Sequence, residues 1–206
     1  MERPPTVVLT VGHSTRPLKA FTELLRSHAV MQLVDVRTVP RSRHNPQFNR
    51  DTLPDALRAV GIGYAHLPGL GGLRHAKPDS PNAGWRNASF RGFADYMQTP
   101  EFAASLAELI ELATRERLAI MCAEAVPWRC HRSLIGDALL ARGVRVEHIQ
   151  SPTRCSPHRL APWATVTGTR VTYPPAAVSA TPPAPPTKTR AAARPRRQAR
   201  GARETR

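Results

Sequence analysis

"LAIMCAEAVPWRCHRSLIGDALLARG" (Leu118–Gly143) places an apolar run, a charged loop and an amphipathic segment in immediate succession. "LAIMC" has the unbroken apolar pattern of a strand covered on both faces. In "SLIGDALLARG" the residues Leu134, Ile135, Ala138 and Leu139 recur at helical spacing, and Gly143 is a stop. "VRVEHI" (144–149) then supplies another strand. A strand followed by a crossover helix and a second strand is the unit of a parallel sheet.

The same alternation runs upstream. "TVVLTV" (Thr6–Val11) is a β-branched run ending at Gly12, and "PLKAFTELLRSH" carries Leu18, Phe21, Leu24 and Leu25 at helical spacing. "AVMQLVDVR" gives a second strand closing near Asp35, "DTLPDALRAVG" a short helix stopped by Gly61, and "IGYAHL" a third strand. Helices follow in "SFRGFADYM" and "TPEFAASLAELIELAT", the latter with Thr99 as N-cap and Pro100 at its first position. The pattern predicts a single α/β domain over residues 5–165, with a mainly parallel sheet of about five strands and helices on both faces. Two segments are less regular. "PGLGGLRHAKPDSPNAGW" (68–85) is long for a connection and is marked as functional on that ground. "SPTRCSPHRLAPWATVTGTR" fits either a closing strand or an extended wrap.

Toward the C-terminus the composition changes. From Thr172 to Arg206, seven prolines and eight Lys/Arg accompany one acid, Glu204. Such a stretch cannot bury enough apolar surface to offset the entropy of ordering, so residues 166–206 are expected to be a disordered basic tail. It is either a solvated extension or a non-specific nucleic-acid arm without base discrimination. The chain carries +15 at pH 7, and roughly half of that remains without the tail. A basic folded part suits an anionic small molecule or nucleic acid as partner; no protein partner is predicted. Three cysteines, one unpaired in any scheme, argue against a secreted disulfide framework. With neither a signal-peptide pattern nor an apolar run of membrane-spanning length, a cytoplasmic location is expected, with no membrane contact.

In an open α/β sheet ligands bind beyond the carboxyl ends of the strands. Three polar clusters follow strands in this way: "GHSTR" (Gly12–Arg16), "DVRTVPRSRHNPQFN" (Asp35–Asn49) and "CAEAVPWRCHR" (Cys122–Arg132). Parallel strands would bring all three to one edge.

These blocks, with "HLPGLGG" and "GWRNASFRGFADYM", resemble in order, from about Thr6 to Ile149, the family known as domain of unknown function 488. The resemblance implies an α/β domain whose polar blocks form a common site, and no established activity. A second likeness, of layout, is to rhodanese-like sulfurtransferases, where a "DVR" strand end accompanies a strand-end cysteine, a loop and a helix. That analogy would make Cys122 a sulfur carrier and "AEAVPWRC" its anion cradle. The loop here is longer, contains Pro127 and Trp128, lacks glycine, and places the acid Glu124 in the cradle.

Four chemistries remain open on these residues. Cys130 and His131 fall at a helix N-terminus, where free backbone amides and Arg129 and Arg132 favour a thiolate nucleophile, with His131 or His13 as base. Cys122 and Cys130 would alternatively cycle as a dithiol, although their separation is not the C-x-x-C redox spacing. No cofactor is predicted; zinc on Cys122, Cys130, His131 and His13 is the alternative, and a single C-x7-C-H poorly matches paired zinc spacings. In the fourth, Glu124 or Asp35 does acid–base work without thiol chemistry. Cys122 also suits a plain core position, and Cys155 stands alone.

The arginines sharpen the substrate class. Arg37, Arg41, Arg43, Arg86, Arg91, Arg129 and Arg132 fall in or beside the site loops, with Ser14 as a further binding candidate. In "PRSRHNPQFN" and "WRNASFR" they are interleaved with amides and aromatics, a mix suited to a phosphate plus a planar ring. The expectation is an enzyme, a cysteine-dependent transferase or hydrolase, acting on a phosphorylated, nucleotide or nucleic-acid-related substrate. The competing readings are a nucleic-acid-binding accessory protein with structural cysteines and a rhodanese-like sulfur carrier.

Overall fold

The computed structural model describes residues 6–175. Five strands, β1 (Val7–Gly12), β2 (Gln32–Asp35), β3 (Gly63–His66), β4 (Leu118–Cys122) and β5 (Arg145–Ser151), pair in parallel. A sixth, β6 (Arg154–Pro157), closes the edge antiparallel to β5, giving the order β3-β2-β4-β1-β5-β6. The irregular segment after Ser151 is therefore first a closing strand and then a wrap.

Helices α1 (Leu18–Ser27) and α2 (Leu53–Arg58) cover one face of the sheet. The opposite face carries α3 (Ala88–Tyr96), α4 (Pro100–Arg115) and α5 (Arg132–Leu140). The period-2 alternation of β4 divides its side chains between the two cores: Leu118, Ile120 and Cys122 join the α3–α5 core, Ala119 and Met121 the α1–α2 core. That is why the strand is apolar throughout. Thr99 caps α4 by accepting from the Phe102 amide at 3.3 Å, with Pro100 at the first position as expected from the sequence.

The long segment 68–85 is ordered by one buried carboxylate. Asp95 accepts from the Lys77 amide at 2.9 Å, the Ser80 hydroxyl at 2.5 Å and the Asn82 amide at 2.8 Å. Burial pulls its pKa up, but these hydrogen bonds from Ser80, Lys77 and Asn82 hold it below the ordinary carboxylate value.

The domain extends past residue 165. Strands β7 (Thr165–Thr167) and β8 (Arg170–Thr172) form a separate hairpin. Val171 and Tyr173 are buried in the α3–α5 core, with the Tyr173 hydroxyl donating to Asp137 Oδ2 at 2.7 Å. Residues 166–175 are thus part of the fold rather than of a tail. Pro- and Arg-rich composition dominates the segment as a whole and hides the two apolar anchors at its start. The rest of the expected tail lies outside the described residues. Among the described residues, no helix is long and apolar enough to cross a membrane.

Candidate active site

The strand order makes a crevice between β1 and β4. From β1 the chain leaves through α1 on one face, and from the adjacent β4 through α5 on the other, which defines a switch point. Register aligns the carboxyl ends: Gly12 is opposite Cys122, and Asp35 opposite Met121. Two hydrogen bonds continue the ladder beyond the strands, His13 N to Cys122 O at 3.0 Å and Ser14 N to Ala123 O at 2.9 Å. A Cβ on Gly12 would lie 2.0 Å from the Glu124 carbonyl oxygen, so glycine allows this close approach. Ser14 completes the turn with φ of 51°, an unusual left-handed conformation for a non-glycine residue.

A cavity of about 690 Å³ opens at this crest. Its lining includes His13, Ser14 and Arg37 from the first two loops, and Cys122, Glu124, Arg129, Cys130 and His131 from the third. Arg41 lines it as well, whereas Arg43 and Arg86 are exposed outside the lining. Asp35 and Arg132 are buried behind the wall. Thr38, Asn45, Gly72, Ser89 and Phe90 also line it, all within segments marked from the sequence but not named there as single site residues.

Several candidates are already committed to each other. Asp35 holds Arg37 through a fork, with Arg37 Nε at 2.9 Å from Oδ1 and a terminal nitrogen at 2.6 Å from Oδ2. Tyr64 also donates to Asp35 Oδ2 at 3.0 Å. This saturated, fully buried carboxylate positions Arg37 and has no reach into the cavity, contrary to its expected acid–base role. His13 is committed too. Its Nδ1–H donates to the Ser14 carbonyl at 2.8 Å, Nε2 accepts from Arg37 at 3.2 Å, and the ring stacks on Phe48 with centroids 4.2 Å apart. Burial, chiefly, pushes its pKa down to about 4, so the ring is neutral near pH 7. With both nitrogens occupied, His13 offers neither a base nor a metal ligand. Glu124 lines the cavity while its carboxylate accepts from the Val126 amide at 3.2 Å, folding the loop back on itself.

The thiols sit around His131. Its Nε2–H donates to the Val36 carbonyl at 3.1 Å, which turns Nδ1 toward Cys130 Sγ at 3.6 Å and Cys122 Sγ at 4.0 Å. A Cβ on Gly72 would be 2.6 Å from that same Nδ1, so the "GLGG" stretch packs directly on the ring. The three donor atoms lie within 4.8 Å of one another.

Arg132 brings a buried positive charge against this group. It is 1 % exposed, donates from Nε to Cys130 Sγ at 3.4 Å, and otherwise contacts Thr10 Oγ1 and the Glu124 carbonyl. Among the described residues it has no carboxylate partner. A buried cation without a counter-ion costs several kcal/mol, and an anion beside it reduces that cost. The hydrogen bond from the Cys122 thiol lowers the Cys130 pKa most; burial opposes it and Arg132 adds to it, leaving Cys130 at about 6. The same hydrogen bond, with burial, pushes Cys122 up to about 12.

Behind Arg132 runs a chain that sequence patterns missed. Thr10 Oγ1 lies 2.7 Å from His148 Nδ1, His148 Nε2 lies 3.0 Å from His158 Nδ1, and His158 Nε2 lies 2.9 Å from Asp137 Oδ1. At one end Arg132 donates to Thr10 Oγ1, and at the other Asp137 accepts from His158 Nε2–H. A threonine inside "VVLTV" and a histidine inside "VRVEHI" were the available signals, each a polar residue at a buried strand position.

A family model described as "Domain of unknown function DUF488" matches residues 17–139, more than half of the chain. The chain belongs to the DUF488 family. The DUF488 match takes in the Asp35–Asn49 loop and the whole Cys122–Arg132 block. It begins just after His13 and Ser14, so the first site loop and β5 lie outside it. No curated protein and no solved structure matches the chain.

Proposed function

We propose that this DUF488 chain is a cysteine-dependent enzyme in which Cys130 is the nucleophile, His131 its proton-transfer partner, and the arginine-lined cavity the seat of an anionic substrate. The carrying observation is Arg132, a buried guanidinium whose nearest anionic candidate is Cys130 Sγ. Cys122 donates to that thiolate, and the Nδ1 of His131 is placed to exchange a proton with whatever leaves or enters. Arg41 and Arg129 form no ion pair among the described residues and line the cavity beside Phe90, a combination suited to an anionic group carried on a planar framework. The rhodanese-like assignment of Cys122 as carrier is less well supported, because Cys122 is the sulfur kept protonated. The amides of Val126, Arg129 and Cys130 are also occupied within their own loop instead of cradling an anion.

Alkylation by iodoacetamide with peptide mapping tests this reading. Cys130 should react near neutral pH well before Cys155, whose thiol is raised by burial and by Glu147. Equal labelling of the two would remove Cys130 as nucleophile. A second reading draws on the convergence of Cys122, Cys130 and His131, a donor set that fits a soft ion such as zinc. The hydrogen bond from His131 Nε2 to Val36 is the usual support of a ligating histidine. Elemental analysis of purified protein separates the two: about one zinc per chain favours the metal centre, and a substoichiometric amount favours the free thiolate.

A further inference from the structure

We propose that Cys122 and Cys130 form a dithiol–disulfide couple, and that the reacting bond of the substrate is the S–S bond of an anionic disulfide. The proposal rests on Cys130 being the nucleophile and adds the identity of the bond it attacks. Single-nucleophile chemistry needs one thiolate and one base. Here a second sulfur, the Cys122 thiol, lies within 4.8 Å of the first, and the Nδ1 of His131 is within 4.0 Å of both. A protonated second thiol sharing the base is what resolution of a mixed disulfide requires.

The arrangement also orders the two steps. In the first, the Cys130 thiolate attacks one sulfur of the substrate R–S–S–R; a Cys130–S–S–R bond forms and R–S⁻ leaves. Once Cys130 is disulfide-bonded, the Cys122 sulfur still lies within 4.8 Å of Cys130 Sγ and 4.0 Å from the Nδ1 of His131. In the second step, Cys122 passes its proton to His131 Nδ1 and attacks Cys130 Sγ. The Cys122–Cys130 bond forms, the second R–S⁻ leaves, and it takes the proton back from His131. Two cysteines are oxidised by two electrons and one substrate disulfide is reduced to two thiols. Repeated turnover requires an external dithiol reductant to reopen the bond.

The test uses the full chain carrying Cys155→Ser, treated with oxidised glutathione and followed by peptide mass mapping. The expected product is two hydrogens lighter, with the Cys122 and Cys130 peptides cross-linked and two glutathione thiols released. Cys122→Ser in the same background should stop at a glutathione adduct on Cys130. Cystamine, a cationic disulfide, should react at least about tenfold more slowly, as Arg41 and Arg129 repel it. A lasting adduct on Cys130 in the chain that retains Cys122 overturns the couple while leaving the nucleophile intact. Protein that resists glutathione until a chelator strips a metal from it also overturns the couple. Cystamine matching glutathione overturns the anionic preference. Cys130 inert to both glutathione and iodoacetamide removes the nucleophile as well.

Discussion

Removing the Arg132 guanidinium, as in Arg132→Met, takes away a buried cation in contact with Cys130 Sγ. The alkylation midpoint of Cys130 should then rise from about 6 toward the ordinary thiol value of 9.0, slowing labelling at pH 7 by roughly tenfold or more. In the unaltered chain labelling should level off above about pH 6 and fall below it. The sign for stability follows from the lowered pKa. The contribution of the thiolate is fully present above the unfolded value of 9.0 and is lost as pH falls through about 6, so unfolding free energy rises across that window. Denaturant melts at several pH values check this, with Cys130→Ser expected to flatten the slope. At the other wall, Asp35→Asn leaves Arg37 buried without its carboxylate and should cost about 3–5 kcal/mol in urea unfolding. The sequence singled out Cys130, His131 and Arg132 because they close the eleven-residue block Cys122–Arg132, which is dense in reactive and charged side chains. It did not show that His13 is committed, since that depends on Arg37 and Phe48 from another loop.

At the scale of elements, the ends of β1 and β4 and the loops that follow them make the site. Gly12→Ala places a methyl group against the Glu124 carbonyl and should push the 123–125 backbone away. Loss of about 1–3 kcal/mol is expected from such overpacking, with Cys130 labelling slowed because the sulfur and Arg132 no longer share a geometry. Thermal melts and labelling rates measure both. For the 68–85 segment, Asp95→Ala removes the acceptor of three hydrogen bonds. Limited proteolysis should then cut between Arg74 and Arg86 where the unaltered chain resists. Strand and helix positions followed from periodicity, but the order of this segment did not, because one carboxylate on α3 organises backbone and side chains more than ten residues away.

For the molecule as a whole, the switch between β1 and β4 explains why residues separated by more than a hundred positions share one cavity. Closure of the fold by Val171 and Tyr173 gives a prediction at this scale. A chain ending at residue 165 should melt well below one ending at residue 176, and Tyr173→Ala should cost about 3–5 kcal/mol, since it vacates a core position and strips Asp137 of a donor. Equal melting temperatures for the two truncations would show that the wrap adds nothing to the sheet.

By itself the sequence determined the α/β class, the parallel strands and the clustering of polar loops at one edge, because hydrophobic periodicity and turn residues act locally. It also marked the cysteine block, whose members are neighbours in the chain. Tertiary structure alone decided which polar groups are free and which are already paired. Asp35 and His13 are withdrawn, Arg132 is left with a sulfur as its partner, and Thr10, His148, His158 and Asp137 are joined behind it. The physical reason is that charge state follows from burial and from partners distant in sequence, neither of which a local pattern encodes.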